Sequence, residues 1–406
     1  MTTAAFKSLL PSEPEPWRPN SRPKLEGCIG ALLLNLDQGV LWDILTVWLT
    51  LHCLCLLDSA MCVKAIRVEF LELIQTRVLL FNRDPSDDEV IQRALGREEL
   101  QWVMRRGIRL ASFTLPTSKS LRGEQHERYI RELLVDIIDA GLVDKLESFS
   151  FGACFYIKRD DVDRLLSCCY KSIKFMYVDQ YLVADHYWKS LPKLEIVRIH
   201  NFLEKKANDI VESSPRLKKI FVELDFPSNM TDRFLDAVAK HSKQLEQLEM
   251  QGCTQISPLA FHGLFNACVS LSIVNFCGTF ITDESVYWLC VKCPKLIQVY
   301  LGKCNRLTVK AVEYISKWRP TITHICLSDN SSIERACVVT LVSACRDLEY
   351  IDISRCSGVT SDSIIEMVKV TSCKLHDLYV KGIRNLSIDR VAPVLKTKLP
   401  GCIMHT

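Results

Sequence analysis

The sequence predicts an α/β solenoid, a curved horseshoe with parallel strands inside and helices outside, preceded by a small all-helical module. Three observations carry that expectation. Apolar residues return with a fixed long period over most of the chain, each period pairs a strand-like alternation with a helical spacing, and an early apolar stretch shows the helical spacing alone. At 406 residues the chain has room for two or three cores, or for one elongated array, at roughly 100–200 residues per domain. Hydrophobic residues are 48% and charged residues 24%, a balance that supports a packed core and excludes a disordered chain.

Aligned on the pattern L-x-x-L-x-L, the repeats begin at Leu245, Leu271, Leu296, Ile322, Leu348 and Leu375, with gaps of 26, 25, 26, 26 and 27. Looser copies begin at Leu110, Leu146, Ile173, Leu194 and Leu217. Side chains alternate across a strand, so Leu248 with Met250, or Ile351 with Ile353, share one face while Gln247 and Glu249, or Tyr350 and Asp352, share the other. A turn and a helix follow each strand. Behind Thr282, residues Val286, Leu289, Cys290 and Cys293 recur at three- and four-residue steps; behind Thr308 come Val312, Ile315 and Trp318; behind Ser361 come Ile364, Ile365 and Val368. A single unit cannot bury both of its apolar edges, whereas stacked units bury them against one another.

The cysteines share the rhythm. Cys253, Cys304 and Cys356 fall eight residues after the first repeat leucine, where Asn330 stands in another copy, and Cys268, Cys293 and Cys345 fall three before it. At such corners a small residue with a weak S–H donor completes the packing. In this phase the chain, from about residue 105 to 400, resembles the cysteine-containing class of leucine-rich repeats. The resemblance implies a leucine-rich-repeat solenoid of about 10–11 units over 105–406. The alternative for the cysteines, a zinc site at Cys290 and Cys293, lacks a second pair or a paired histidine nearby. Nor do 19 cysteines in 406 residues reach the roughly 8–10% of a disulfide scaffold.

Ahead of the repeats, residues 1–30 read as a mobile leader and 77–104 as a linker or N-terminal cap that includes the acidic stretch 82–89. Residues 31–76 read as three short helices. Leu36, Val40, Leu41, Ile44 and Leu45 form the opening of this segment, with Trp48 and Leu49 continuing the helical spacing, and Leu54, Leu57 and Cys62 form its second part. In this order the segment resembles an F-box, the module that docks on the Skp1 adaptor of cullin-based ubiquitin ligases; Asp37 and Gly39 occupy the places of that family's Pro and Glu. The resemblance implies that Leu36, Val40, Leu41, Ile44, Leu45, Leu54, Leu57 and Cys62 bind the adaptor. The other reading of 31–100 is a cap over the first apolar face of the solenoid.

Composition and motifs exclude more than they propose. A net charge of +3 argues for neither a nucleic-acid nor an anionic-membrane partner. The apolar run Ile44–Leu57 is 14 residues and carries His52, against about 20 for a membrane span. The N-terminus has no secretory apolar core, so a cytoplasmic or nuclear location, with free thiols, is expected. None of the usual phosphate-loop, dinucleotide, zinc-protease, serine-hydrolase or calcium patterns is present, and no two of the nine histidines stand four apart. No enzyme, cofactor or metal is expected.

What remains is the strand face. The outward alternates Gln247, Glu249, Gln298, Tyr300, His324, Tyr350, Asp352, Asp377 and Tyr379 would form a broad ledge on the concave side, and three tyrosines suit protein recognition because each supplies contact area at small entropic cost. Together these readings give a non-catalytic substrate-recognition subunit of a Skp1-cullin-F-box type ubiquitin ligase, holding a target protein on the ledge. The alternative is a leucine-rich-repeat scaffold or sensor that binds a protein with no ubiquitin link. A GTPase-activating role is disfavoured because no trans-acting arginine is identifiable.

Overall fold

A computed structural model describes residues 97–106, 108–110, 112–114, 124–150, 158–179, 191–200, 203–223 and 230–406. The leader, the F-box-like segment with all its expected adaptor-binding residues, and the acidic stretch 82–89 lie outside the described residues. The chain divides into two units, and every described residue belongs to the second, Gln75–Thr406.

Helix α1 (Arg97–Arg106) comes first among the described elements and straddles the expected linker boundary. After it, strands and helices take turns: β1 (Ser112–Thr114), α2 (Glu124–Asp139), β2 (Ser148–Ser150), α3 (Arg159–Cys169), β3 (Phe175–Asp179), β4 (Ile196–His200), α4 (Glu204–Ser213), β5 (Lys219–Glu223) and α5 (Asp232–His241). The regular half follows, with β6 (Gln247–Met250), α6 (Pro258–Ala267), β7 (Ile273–Asn275), α7 (Asp283–Lys292), β8 (Gln298–Tyr300), α8 (Val309–Trp318), β9 (His324–Cys326), α9 (Arg335–Ala344), β10 (Tyr350–Asp352), α10 (Ser361–Val370), β11 (Asp377–Tyr379), α11 (Ile388–Lys398) and β12 (Ile403–His405). The strands form one sheet in chain order, and neighbouring pairs are parallel, as in β6 with β7 and β10 with β11. This is a leucine-rich-repeat solenoid. Neighbouring strands sit about 4.8 Å apart while packed helices need roughly 8–10 Å, so stacking the units bends the array with its strands on the inner side.

The repeat leucines are its spine. Leu248, Leu301 and Ile353 are fully buried, as are Val274, Val299, Ile325, Ile351 and Leu378 at the centres of successive strands. Each such side chain contributes about 1.5–3 kcal/mol by leaving water. Phe261, Phe265 and Phe276 fill one layer, with Phe261 and Phe276 edge to face at 5.0 Å. Trp318 departs from the expected helix core: it is 40% exposed and lies against Tyr287, while Val312 and Ile315 on the same helix are buried.

Strand β12 lies one period beyond the last motif. Gly401 and Thr406 stand where Leu375 and Val380 stand one repeat earlier, so only Met404, in register with Leu378, keeps the apolar pattern.

Polar groups at the corners stitch the units together. Seven residues after the first repeat leucine the backbone turns left-handed, at φ 71° for Gly252 and Gly278 and 69° for Gly382, but also at 57° for Lys303 and 56° for Asp329 and Arg355. One residue later, the thiols of Cys304 and Cys356 donate to the carbonyls of Phe276 and Leu327, each at 3.2 Å, and the Asn330 amide donates to Leu301 at 2.8 Å. The equivalence of Cys and Asn at this phase is therefore a shared donor role. At the helix C-caps, Cys268 donates to the Ser242 carbonyl and Cys293 to that of Cys268, each acceptor being the matching cap of the preceding unit. Burial pushes both thiols up to about 12, so they stay protonated. At the opposite helix ends, Glu204, Asp232 and Asp283 each accept the backbone N–H and the hydroxyl of the next helix's N-cap residue, Thr231, Ser257 and Thr308 respectively.

Two acidic residues open α3: Asp160 is exposed, whereas Asp161 is 3% exposed. It accepts from both Nε and Nη2 of Arg131 on α2 and from the Lys158 backbone N–H at 3.0 Å. Hydrogen bonding to Asp161 raises the Arg131 guanidinium above its ordinary value.

Candidate functional site

In each regular strand the middle residue points into the core, and its two neighbours point out. Register aligns those neighbours into two columns. The first runs Gln247, Ile273, Gln298, His324, Tyr350, Asp377, Ile403, and the second Glu249, Asn275, Tyr300, Cys326, Asp352, Tyr379, His405. All nine residues expected on the ledge stand in these columns.

Aromatic rings cross from one column to the other and form a continuous string. Tyr300 lies 6.4 Å from Tyr350 between ring centroids, His324 stacks on Tyr350 at 5.5 Å, Tyr350 meets Tyr379 at 5.1 Å, and Tyr379 stacks on His405 at 4.0 Å and 11°. His405, absent from the expected ledge, closes the string and bonds through Nε2 to Asp377 Oδ1 at 2.9 Å. The signal that would have found it is the repeat period carried one step past Leu375.

Second-column carboxylates are held in place. Asp352 accepts the Ser354 N–H at 2.9 Å and the Cys326 thiol at 3.3 Å, and Glu249 accepts the Gln247 amide at 2.6 Å. Burial pushes the Tyr350 phenol up, reinforced by Asp352, and lowers the His324 imidazole. Cys326 is also pushed up, first by its hydrogen bond with Cys277 and then by burial. The neutral forms of all three are therefore favoured.

Beside the columns runs an open groove of about 710 Å³, with Glu246 at one end, Asp347 and Glu349 at the other, and Ile297, 43% exposed, between them. Toward the N-terminal strands a second cluster occupies the same face. Arg198 lies over Phe221 at 4.7 Å and over Tyr177 at 5.8 Å, and pairs with Glu223 at 3.3 Å. Tyr177 also donates to Glu223. Sequence reasoning passed over this cluster because its repeats are irregular, with gaps of 21 and 23 around β4.

Among the described residues no group of three or more His, Cys, Asp or Glu side chains is arranged to hold a metal ion. Among them, too, no helix is long and apolar enough to cross a membrane.

No protein-family model matches the chain. It is similar to DNA repair protein rhp7 of Schizosaccharomyces pombe, 25% identical over 178 residues; the match spans 43% of this chain and 31% of that relative. Among solved structures it is similar to a chain of the Rad7 and Elc1 complex in yeast, with TM-score 0.48 and 15% identity over 76% of this chain and 71% of that one. It is also similar to an internalin of Listeria monocytogenes str. 4b F2365, with TM-score 0.41 and 11% identity over 78% of this chain and 91% of that one.

Proposed function

We propose that the chain is a non-catalytic substrate-recognition subunit of a Skp1-cullin-F-box type ubiquitin ligase. In this reading Leu36, Val40, Leu41, Ile44, Leu45, Leu54, Leu57 and Cys62 engage a Skp1-like adaptor, and the strand ledge holds the target protein. The observation that carries it is the ledge. Over five consecutive strands, β8 to β12, the outward positions bear rings that the core does not use, arranged as an unbroken string with Asp352 and Asp377 beside it. Rigid aromatic anchors on a fixed framework are what a protein-recognition surface needs. The order of an F-box-like segment ahead of repeats supports the ligase link. The similarity to a DNA repair protein supports looking for targets in the nucleus first.

The test is co-purification with Skp1. The full chain is expected to retain the adaptor and the chain lacking residues 31–76 to lose it. Absence of the adaptor from the full chain at micromolar concentration would overturn the ligase reading and leave a repeat scaffold.

A further inference from the structure

We infer that the C-terminal half of the strand face, β6 to β12, is built for a basic segment of a protein partner, one carrying Arg or Lys side chains. This rests on the reading of the ledge as the target surface and adds the chemistry of the target.

The charge distribution carries the inference. Across β6 to β12, the two columns and the residue just before each strand contribute Glu246, Glu249, Glu349, Asp352 and Asp377, and no lysine or arginine. That imbalance is local, since the whole chain carries +3. The opposite half of the same face reverses it. Arg198 and Lys219 stand in the equivalent columns of β4 and β5, and Lys174 and Lys218 precede β3 and β5, where each pairs with a glutamate of the preceding unit. Outside the three positions counted, Lys295 lines the groove that also holds Glu246 and Glu349, and Lys303, Arg355, Lys374 and Lys381 flank the strands in sequence.

Geometry tells what kind of cation fits. The carboxylates flank a string of rings from Tyr300 to His405, and carboxylates have lone pairs to spare beyond the bonds they make here. A long basic side chain can lay its methylenes along the rings, where its charge is also attracted by their π-systems, and set its head against Glu349, Asp352 or Asp377. Arginine suits this better than lysine, because its planar fork stacks on rings and binds carboxylates in two-point fashion. A nucleic-acid backbone would meet like charge over the whole acidic half.

The experiment uses the full chain and three labelled probes followed by fluorescence anisotropy: a short peptide of alternating arginine and serine, the same peptide with glutamate for arginine, and a single-stranded DNA oligonucleotide. The arginine peptide is expected to bind, weakening as salt rises, with the glutamate peptide and the DNA at least about tenfold weaker. The pair Glu349→Lys with Asp377→Lys is expected to weaken the arginine peptide about tenfold or more and to strengthen the glutamate peptide, while Glu284→Lys with Glu313→Lys on the helices leaves both unchanged. Circular dichroism and thermal melts confirm that the ledge variant is folded; should it unfold, Glu349→Gln with Asp377→Asn gives the same reading with a smaller loss. Equal binding of the two peptides, binding of neither, preference for DNA, or an arginine-peptide affinity indifferent to the ledge variants would overturn the inference. Skp1 co-purification, repeated on the same variants, separates the two claims: its failure in the unmodified chain removes the ligase reading and leaves the peptide result standing.

Discussion

At the scale of single residues, the corner backbone makes a demand that only some repeats meet with glycine. Gly252, Gly278 and Gly382 take the left-handed turn at no steric cost, but Lys303, Asp329 and Arg355 take it with a side chain in place. Lys303→Gly should therefore raise stability by about 0.5–1 kcal/mol, read as a higher urea midpoint; a loss would show that Lys303 makes compensating contacts, or that the unfolded chain gains more freedom than the turn loses strain. His324 yields a prediction in pH. Burial lowers its imidazole, so the unfolded chain binds a proton that the folded one resists. The resulting contribution to stability is intact above the ordinary value of about 6.5 and is lost as pH falls below it. Glu349 and Asp377 moderate the effect without reversing it. Stability of the unmodified protein should fall more steeply than that of His324→Gln between about pH 7.5 and 5; parallel curves would exclude a burial penalty at this ring.

Elements were legible wherever one repeat could be checked against the next. Leu245 to Leu375 recur at nearly constant spacing, and each strand and helix they announce is present. Gly401 and Thr406 concealed β12 because they stand where Leu375 and Val380 stand one repeat earlier, leaving Met404 alone to mark the strand. The nine ledge residues were legible from strand alternation alone. Their chemistry was not, since the stacking of Tyr379 on His405 and the acidic imbalance of the C-terminal half depend on register between strands. Asp161 was hidden for a related reason: its partner Arg131 lies on the preceding helix, 30 residues away. Truncating that partner would strand a buried carboxylate between α2 and α3. Arg131→Ala should cost about 3 kcal/mol, near the lower end for such pairs because the arginine is itself 29% exposed. Equilibrium unfolding in urea measures this, and a loss under about 1 kcal/mol would mean that water reaches Asp161 and replaces the ion pair.

Over the repeat unit as a whole, stability is a sum of neighbour interfaces, and recognition is a property of register. Ile351 is fully buried at the centre of β10, between Ile325 and Leu378. Ile351→Ala should cost about 2–5 kcal/mol, and native-state hydrogen exchange should show the loss centred on β9 to β11, with β3 to β5 still protected. Uniform loss along the sheet would mean that the array opens as one block. The same one-dimensional order divides the strand face into a half bearing Arg198 and Lys219 and a half bearing Glu349, Asp352 and Asp377, so a partner bound there as proposed would be held in one direction along the array.

The most direct measurement of that claim is carbodiimide labelling of carboxylates, followed by mass spectrometry, on the full chain with and without the arginine–serine peptide. Glu349, Asp352 and Asp377 should lose labelling when the peptide is present, while Glu284 and Glu313 on the helices keep theirs. Protection of the helix glutamates with the ledge carboxylates still labelled would contradict the account.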